Sequence, residues 1–342
     1  MRMLLGLPDL PRLVETTFKS AKASQSLIFS STELAILRTP EGLPFQLRYC
    51  PALGNKPKPK EEKNPVKKRD VFESPDEALL IAKVPTSNPS HFLVLNKYPV
   101  IEEHFILATI ANKPQTHVLE QDDLEATYAC LKAWESYGSQ RRLFAFFNSG
   151  DHSGASQPHR HLQFLPIENM KKGDRSNSWN LLVDVILNDN KSVPSDQVAQ
   201  LPDLLQHPAV PFTHFGFKFT GEPDGSQLLE AYNKLYEAAK EAVEAFISRN
   251  SDGFALHTTE EGDLPISYNL AITTDGMAIC PRRSGGAMLQ RDDGSSVGFI
   301  ELNGTTLGGT LMVKHQEEWD TLHAQPGKLT SILTALGIPR TE

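Results

Sequence analysis

The sequence is consistent with an α+β fold on three observations: short apolar runs of strand length, hairpin-type turn signals between several of them, and a few well-separated helical patterns. No internal repeat or coiled-coil heptad competes with that reading. At 342 residues the chain can bury a substantial core, as one large domain or two modest ones.

Leu10 to Phe29 opens the chain with a loosely helical pattern through Leu13, Val14, Phe18 and Ala21, which predicts a peripheral helix. Leu34–Leu37 and Phe45–Tyr49 flank Pro40, Gly42 and Pro44 and predict a hairpin that begins the sheet. Lys56 to Arg69 is the most polar stretch and reads as a solvated loop. Phe92–Leu95 and Phe105–Ala108 read as buried strands, with Asn96-Lys97 placed at a strand end where a polar pair can reach a site. Glu120 to Ser139 carries an apolar helical stripe through Leu124, Tyr128 and Leu131. Trp179 to Asn188 predicts a short helix, and residues 190–210, rich in Pro, Asp and Gln, read as the connection between two halves, 1–189 and 211–325. Ser226 to Arg249 keeps helical spacing from Leu228 to Ile247, and its Tyr232 and Tyr236 read as packing residues. Tyr268–Thr273 and Met277–Cys280 are joined by Thr274-Asp275-Gly276, a hairpin signal; Cys280 reads as a small buried hydrophobe.

Composition excludes some functions. A net charge of -8 argues against a general nucleic-acid binder, so any polyphosphate site must concentrate positive charge locally, with Lys56, Lys97, Arg282, Arg283 and Lys314 as candidates. The apolar run at the N-terminus is too short for a signal peptide, no run is long enough to span a membrane, and three scattered cysteines suit a reducing compartment. A cytoplasmic protein is expected, with a nuclear location also compatible.

The chemistry concentrates in Phe146 to Pro166: an apolar strand, a Gly/Ser loop, then a strand on which His159, His161 and Gln163 share one face while Leu162 and Phe164 share the other. A loop rich in small residues can bring backbone N–H groups close to an anion. Two imidazoles two residues apart also have metal-ligand spacing, with His152 as a third candidate, and a purely structural pair is a further alternative. The catalytic reading leads: a neutral imidazole can attack phosphorus through one nitrogen if an acceptor holds the other N–H. A side-chain amide such as Gln163 can donate to a phosphoryl oxygen without acting as acid or base, which suits transfer more than hydrolysis.

The run Asn148-Ser149-Gly150, then Ser153-Gly154-Ala155-Ser156-Gln157-Pro158-His159-Arg160-His161-Leu162-Gln163, resembles the signature of diadenosine tetraphosphate phosphorylases (ATP adenylyltransferases) in the histidine-triad superfamily. The resemblance extends through His91 to Pro99, Ser267 to Leu270, Met277 to Arg283 and Leu311 to Lys314, and so covers about Gly54 to Lys314. It implies an antiparallel sheet with packed helices and the histidine strand near its centre. It also implies phosphorolysis of diadenosine tetraphosphate (Ap4A) to ATP and ADP through an adenylyl-histidine on His161, with adenosine 5′-phosphosulfate as a further substrate of some members.

By the same resemblance His159 holds the His161 ring and Gln163 binds the α-phosphoryl oxygens. Lys56, Asn96, Lys97, Asn148, Gly154, Ala155, Ser156, Gln157, Asn303, Gly304, Thr305 and Lys314 contact nucleotide or phosphate. Where the family often has methionine before its last hydrophobic run, this chain has Thr310. Uridylyltransferases share the His-x-His-x-Gln strand but go with a C-x-x-C metal pair that is missing here, and histidine-triad hydrolases carry His in place of Gln163. A nucleotide sensor without turnover is the non-enzymatic alternative. No covalent cofactor or protein-held metal is expected; a divalent cation such as Mg²⁺ would travel on substrate phosphates. The expected partners are dinucleoside polyphosphate, ATP, ADP and phosphate, with no nucleic acid and no membrane, and the expected state is a monomer.

Overall fold

The computed structural model describes residues 5–7, 9–54, 70–138, 141–173, 178–188, 204–250 and 253–340. Helix α1 (Leu10–Ala23) is capped by Asp9, whose side chain accepts from Arg12 N at 3.0 Å, and it buries Leu10, Val14, Phe18 and Ala21. It ends earlier than the apolar spacing suggests because the chain turns at Ser24 and Gln25, the latter at φ 60°. Strands β1 (Glu33–Arg38) and β2 (Pro44–Tyr49) form the predicted antiparallel hairpin, followed by the single turn α2 (Pro51–Gly54).

Next come β3 (Leu80–Val84), β4 (His91–Leu95), β5 (Phe105–Thr109), α3 (Gln121–Glu135), β6 (Leu143–Ser149) and β7 (His161–Pro166). The turn α4 (Ile167–Met170) and α5 (Leu182–Asn188) lead to β8 (Phe215–Lys218) and the long α6 (Gly225–Arg249). Then follow β9 (Ser267–Thr273), β10 (Gly276–Arg282), the hairpin β11 (Gly286–Gln290) and β12 (Ser296–Glu301), β13 (Thr310–Val313), α7 (Gln316–Ala324) and α8 (Lys328–Leu336).

One eight-stranded sheet in the order β3-β4-β5-β7-β6-β9-β10-β8 unites the two halves, and every pairing in it is antiparallel. The join is β6 to β9, where Phe146 faces Ala271 and Asn148 faces Asn269. Strand β7 lies fourth of eight, near the centre, as the sequence resemblance implies.

Alternation separates two cores. Leu162, Phe164, Phe147, Leu270 and Met277 pack beneath α1, α3 and α6 in one cluster. Phe144, Phe146, Leu165, Ala271 and Ala278 belong to the other, with α5, α8 and the second sheet. Gln163 is paired directly with Phe146, so the His161–Gln163 side of β7 is the side of this second core.

The first hairpin does not begin the main sheet. Strand β2 pairs in parallel with β13 to give a separate three-stranded sheet, β1-β2-β13, because Leu37, Phe45 and Leu47 are buried in the second core with Leu311 and Val313. Local turn chemistry identifies a hairpin but not the strand that completes its sheet. The Ser226–Arg249 helix is found as expected, with Tyr232 and Tyr236 turned inward; the Tyr232 hydroxyl meets that of Tyr268 at 2.8 Å.

Candidate active site

His159 precedes β7, in an isolated bridge with Pro114, and its imidazole is clamped at both ends. Nε2 stands 2.7 Å from the Thr109 carbonyl, an acceptor only, so Nε2 carries a proton there; Nδ1 stands 2.6 Å from the Asp70 carboxylate. Burial would raise the Asp70 carboxyl, but its bonds to His159 and the Phe72 N–H outweigh that and hold it below the usual carboxylate range. Phe72 lies against both imidazoles, 5.6 Å from the His159 ring and 5.2 Å from that of His161.

His161 begins β7. Its Nδ1 donates to the His159 carbonyl oxygen at 2.8 Å, which leaves Nε2 as the nitrogen with the lone pair. Only 3 % of the residue is exposed, and burial pushes its pKa down to about 4, so the ring is neutral at ordinary pH. The pattern on the strand foretells an aligned trio; the structure shows that the His159 backbone, not its ring, orients His161.

Gln115 carries no sequence signal and is central. Its Oε1 accepts from His161 N at 2.7 Å, while its Nε2 donates to the carbonyls of His161 at 3.1 Å and Asn148 at 2.7 Å. The β6–β7 ladder runs only from Leu143–Pro166 to Phe146–Gln163. Beyond that point the strands separate to make room for the Gly/Ser loop, and the buried Gln115 side chain satisfies the backbone groups that the ladder leaves unpaired.

The loop itself is held from the C-terminal half. Gly150 (φ 85°) and Gly154 (φ 77°) adopt left-handed conformations, and a Cβ on Gly154 would lie 2.7 Å from the Leu302 oxygen and 2.8 Å from Asn303 Cβ. Asn148 Oδ1 accepts from Gly304 N and from Asn269 Nδ2, both at 2.9 Å; Asn269 also donates to the Ser153 carbonyl at 2.8 Å. Arg282 completes this brace by donating to Asn269 Oδ1 and to the Leu302 carbonyl. It is wholly buried, and burial lowers its pKa to about 10. Its place among the phosphate-facing cations is therefore corrected: the guanidinium is consumed in tying loop 148–154 to residues 302–304.

Asn303 caps a 3-10 turn, Gly304–Gly308, accepting from Thr305 N at 3.0 Å and Thr305 Oγ1 at 2.8 Å. Gly154, Asn148, Asn303, Gly304 and Thr305 are thus brought together next to the His161 backbone through Gln115. Ala155 and Ser156 are exposed and Gln157 partly so; Ala155 N is taken by Ser153 Oγ at 3.2 Å. Thr310, at the family's methionine position, is buried with its hydroxyl on Gln46 Oε1.

Gln163 lies one step further along the His161 face, its Oε1 3.1 Å from His104 Nε2, and His104 Nδ1 is 3.1 Å from Asn96 Nδ2. Lys97 is exposed beside Asn96. Lys314 stands just past β13 and pairs through Nζ with Glu301. Among the described residues no hydrogen bond or ion pair ties either lysine to the histidine strand. Lys56 lies outside the described residues, as does the rest of the Lys-rich stretch to Arg69, although a Cβ on nearby Gly54 would sit 3.5 Å from the Lys314 carbonyl oxygen.

His152 faces His257, ring to ring at 5.5 Å, rather than the histidine pair, so it does not supply the third ligand weighed from the sequence. Among the described residues no group of three or more His, Cys, Asp or Glu side chains converges to hold a metal ion. Cys50, Cys130 and Cys280 are buried free thiols, and burial raises Cys280 to about 12. Asp70, Gln115 and His104 were missed by pattern reading because each reaches the site from a distant segment through a single side chain.

The chain aligns over 97 % of its length with Protein APA1 of Saccharomyces cerevisiae, at 27 % identity and covering 95 % of that protein. It aligns over 97 % with the same yeast's diadenosine 5′,5‴-P1,P4-tetraphosphate phosphorylase 2, at 25 % identity and 96 % coverage. The crystal structure of yeast Ap4A phosphorylase Apa2 superposes with a TM-score of 0.74 at 24 % identity, covering all of this chain and 97 % of that one. The same enzyme in complex with Ap4A gives a TM-score of 0.73 at 23 % identity, covering 97 % of this chain and 98 % of the other. The Ap4A phosphorylase N-terminal domain matches residues 4–182 and the ATP adenylyltransferase C-terminal domain matches residues 208–339. Spanning both domains in order, the chain belongs to the Ap4A phosphorylase family.

Proposed function

We propose that this protein is an Ap4A phosphorylase, a nucleotidyltransferase that converts Ap4A and phosphate to ATP and ADP. The observation that carries the reading is the single hydrogen bond from His161 Nδ1 to the His159 carbonyl, which leaves a neutral, buried imidazole with its lone pair on Nε2. Nε2 of His161 attacks the α-phosphorus of one adenosine; the bond from that phosphorus to the bridging oxygen breaks, and ATP leaves with its electron pair. Inorganic phosphate then attacks the adenylyl-histidine, the P–N bond breaks, and ADP leaves with the imidazole restored.

The other candidate residues find their roles in this scheme. Gln163 donates to the α-phosphoryl oxygens, and the backbone of Gly154, Ser156 and Gln157 faces the phosphate chain. Asn96 and Lys97 take the nucleotide, and Lys56 and Lys314 supply cationic charge. Asn148, Asn303 and Thr305 shape the loop that receives the phosphates. An amide at position 163 cannot relay a proton to water, which favours transfer to phosphate over hydrolysis. A divalent cation such as Mg²⁺ arrives on the substrate, and the enzyme works as a monomer.

Product analysis by anion exchange tests this. Ap4A incubated with and without phosphate should give ATP plus ADP only with phosphate, and His161→Asn should abolish both. ATP plus AMP without phosphate would make the protein a hydrolase instead.

A further inference from the structure

Three hydrogen bonds in series fix which end of the Gln163 amide faces the nucleotide. The backbone N–H of Tyr98 can only donate, and it donates to Asn96 Oδ1 at 2.9 Å. That bond settles the orientation of the Asn96 amide, so the group 3.1 Å from His104 Nδ1 is its NH₂. His104 Nδ1 must therefore be the acceptor nitrogen of the ring, and the ring proton sits on Nε2. Nε2 in turn meets Gln163 Oε1 at 3.1 Å, so the carbonyl of Gln163 is engaged from behind and its NH₂ is the end left over.

We propose that His104 is a positioning residue which, through the polarity of the series Tyr98 N–H, Asn96, His104, Gln163, makes Gln163 present a donor to the α-phosphoryl oxygens. The inference rests on the phosphorylase reading for its substrate, but the polarity itself is a property of the free protein. The device has chemical purpose. A free glutamine can turn its amide end for end, and in the wrong orientation a carbonyl oxygen would point at an anionic phosphoryl group. His104 is buried, and burial keeps it neutral at ordinary pH by pulling its pKa down to about 4, so the ring has one donor and one acceptor and transmits the direction set by Tyr98. Asn96 and His104 lie at either side of the β4–β5 turn, with Asn96 N also donating to the His104 carbonyl at 2.9 Å, so the turn fixes their spacing.

The test has a spectroscopic and a kinetic arm. In protein labelled with ¹⁵N-histidine, the His104 ring, identified by the signals lost in His104→Gln, should show a proton on Nε2 and a bare Nδ1. Asn96→Asp replaces the donor with an acceptor and should move that proton to Nδ1. A proton on Nδ1 in the unaltered protein, or an unchanged ring in Asn96→Asp, would overturn the proposal.

Kinetically, His104→Leu should lower kcat for Ap4A phosphorolysis by roughly 10-fold or more, as expected when one preorganised donor is no longer held. His104→Gln can accept from Asn96 and donate to Gln163, and it should restore most of that loss. Equal losses in both variants, or no loss in His104→Leu, would overturn it. Because the ring spectra need no substrate, failure of the phosphorylase reading would show separately, as the expected tautomer in a protein that does not release ATP and ADP.

Discussion

His161 Nδ1 lies 2.8 Å from the carbonyl oxygen of His159, two residues earlier on the same chain. The tautomer of His161, the proposed nucleophile, is therefore set by local backbone, and His159 matters through where its own clamped ring puts that carbonyl. Asp70→Ala leaves His159 Nδ1 without its partner, whereas Asp70→Asn keeps an acceptor there. Steady-state kinetics should show a kcat loss of about 10-fold for the alanine variant and a smaller one for asparagine, with KM for Ap4A little changed.

Gln115 replaces main-chain pairing where β6 and β7 part. Gln115→Leu fills the volume but leaves the buried His161 and Asn148 groups unpaired, and should destabilise the fold by roughly 2–3 kcal/mol in urea unfolding while lowering turnover. A variant with wild-type stability would show that the splayed strands do not depend on this side chain.

Gly154→Ala adds a methyl group at a left-handed φ of 77°, within 2.7 Å of the Leu302 oxygen. The loop must then move away from residues 302–304. KM for Ap4A should rise by about 10-fold or more, with a stability loss of about 1–2 kcal/mol, measured by turnover and thermal melting.

Burial depresses the pKa of three histidines, His104, His161 and His214, to about 4. Between that value and the unfolded value of about 6.5 the unfolded chain binds more protons than the folded one, so stability falls as pH is lowered through this window. Melting temperature should be flat above pH 7 and drop by roughly 5 °C or more on going toward pH 4.5. The burst of ATP released on mixing with Ap4A, free of the phosphate titration, should keep its amplitude down to about pH 5, since His161 is still neutral there.

The parts of the site that sit on one strand were legible in the sequence: strand alternation places His161 and Gln163 on one face, and the glycines mark the loop. What was not legible depends on groups that meet only after folding. Asp70, Gln115 and His104 each act through one side chain from a segment with its own ordinary pattern. Arg282 shows the converse error. An arginine at a strand end next to a second arginine looks like an anion site in sequence, yet here the strand runs inward and Arg282 satisfies the backbone at Leu302 and Ser284. The hairpin β1–β2 was visible for its turn residues, but its parallel neighbour β13 lies far along the chain, at Thr310–Val313, and no local signal announces it.

The join of β6 to β9 makes the two halves obligate companions. Strand β6 is buried along its full length, from Leu143 to Ser149. An isolated N-terminal half would expose that strand's edge as a long apolar template for self-association. Cleaved between residues 188 and 204, by contrast, the enzyme should stay assembled and active as two fragments, since the eight-stranded sheet still pairs them. Loss of one fragment would then turn a catalyst into an aggregating remnant.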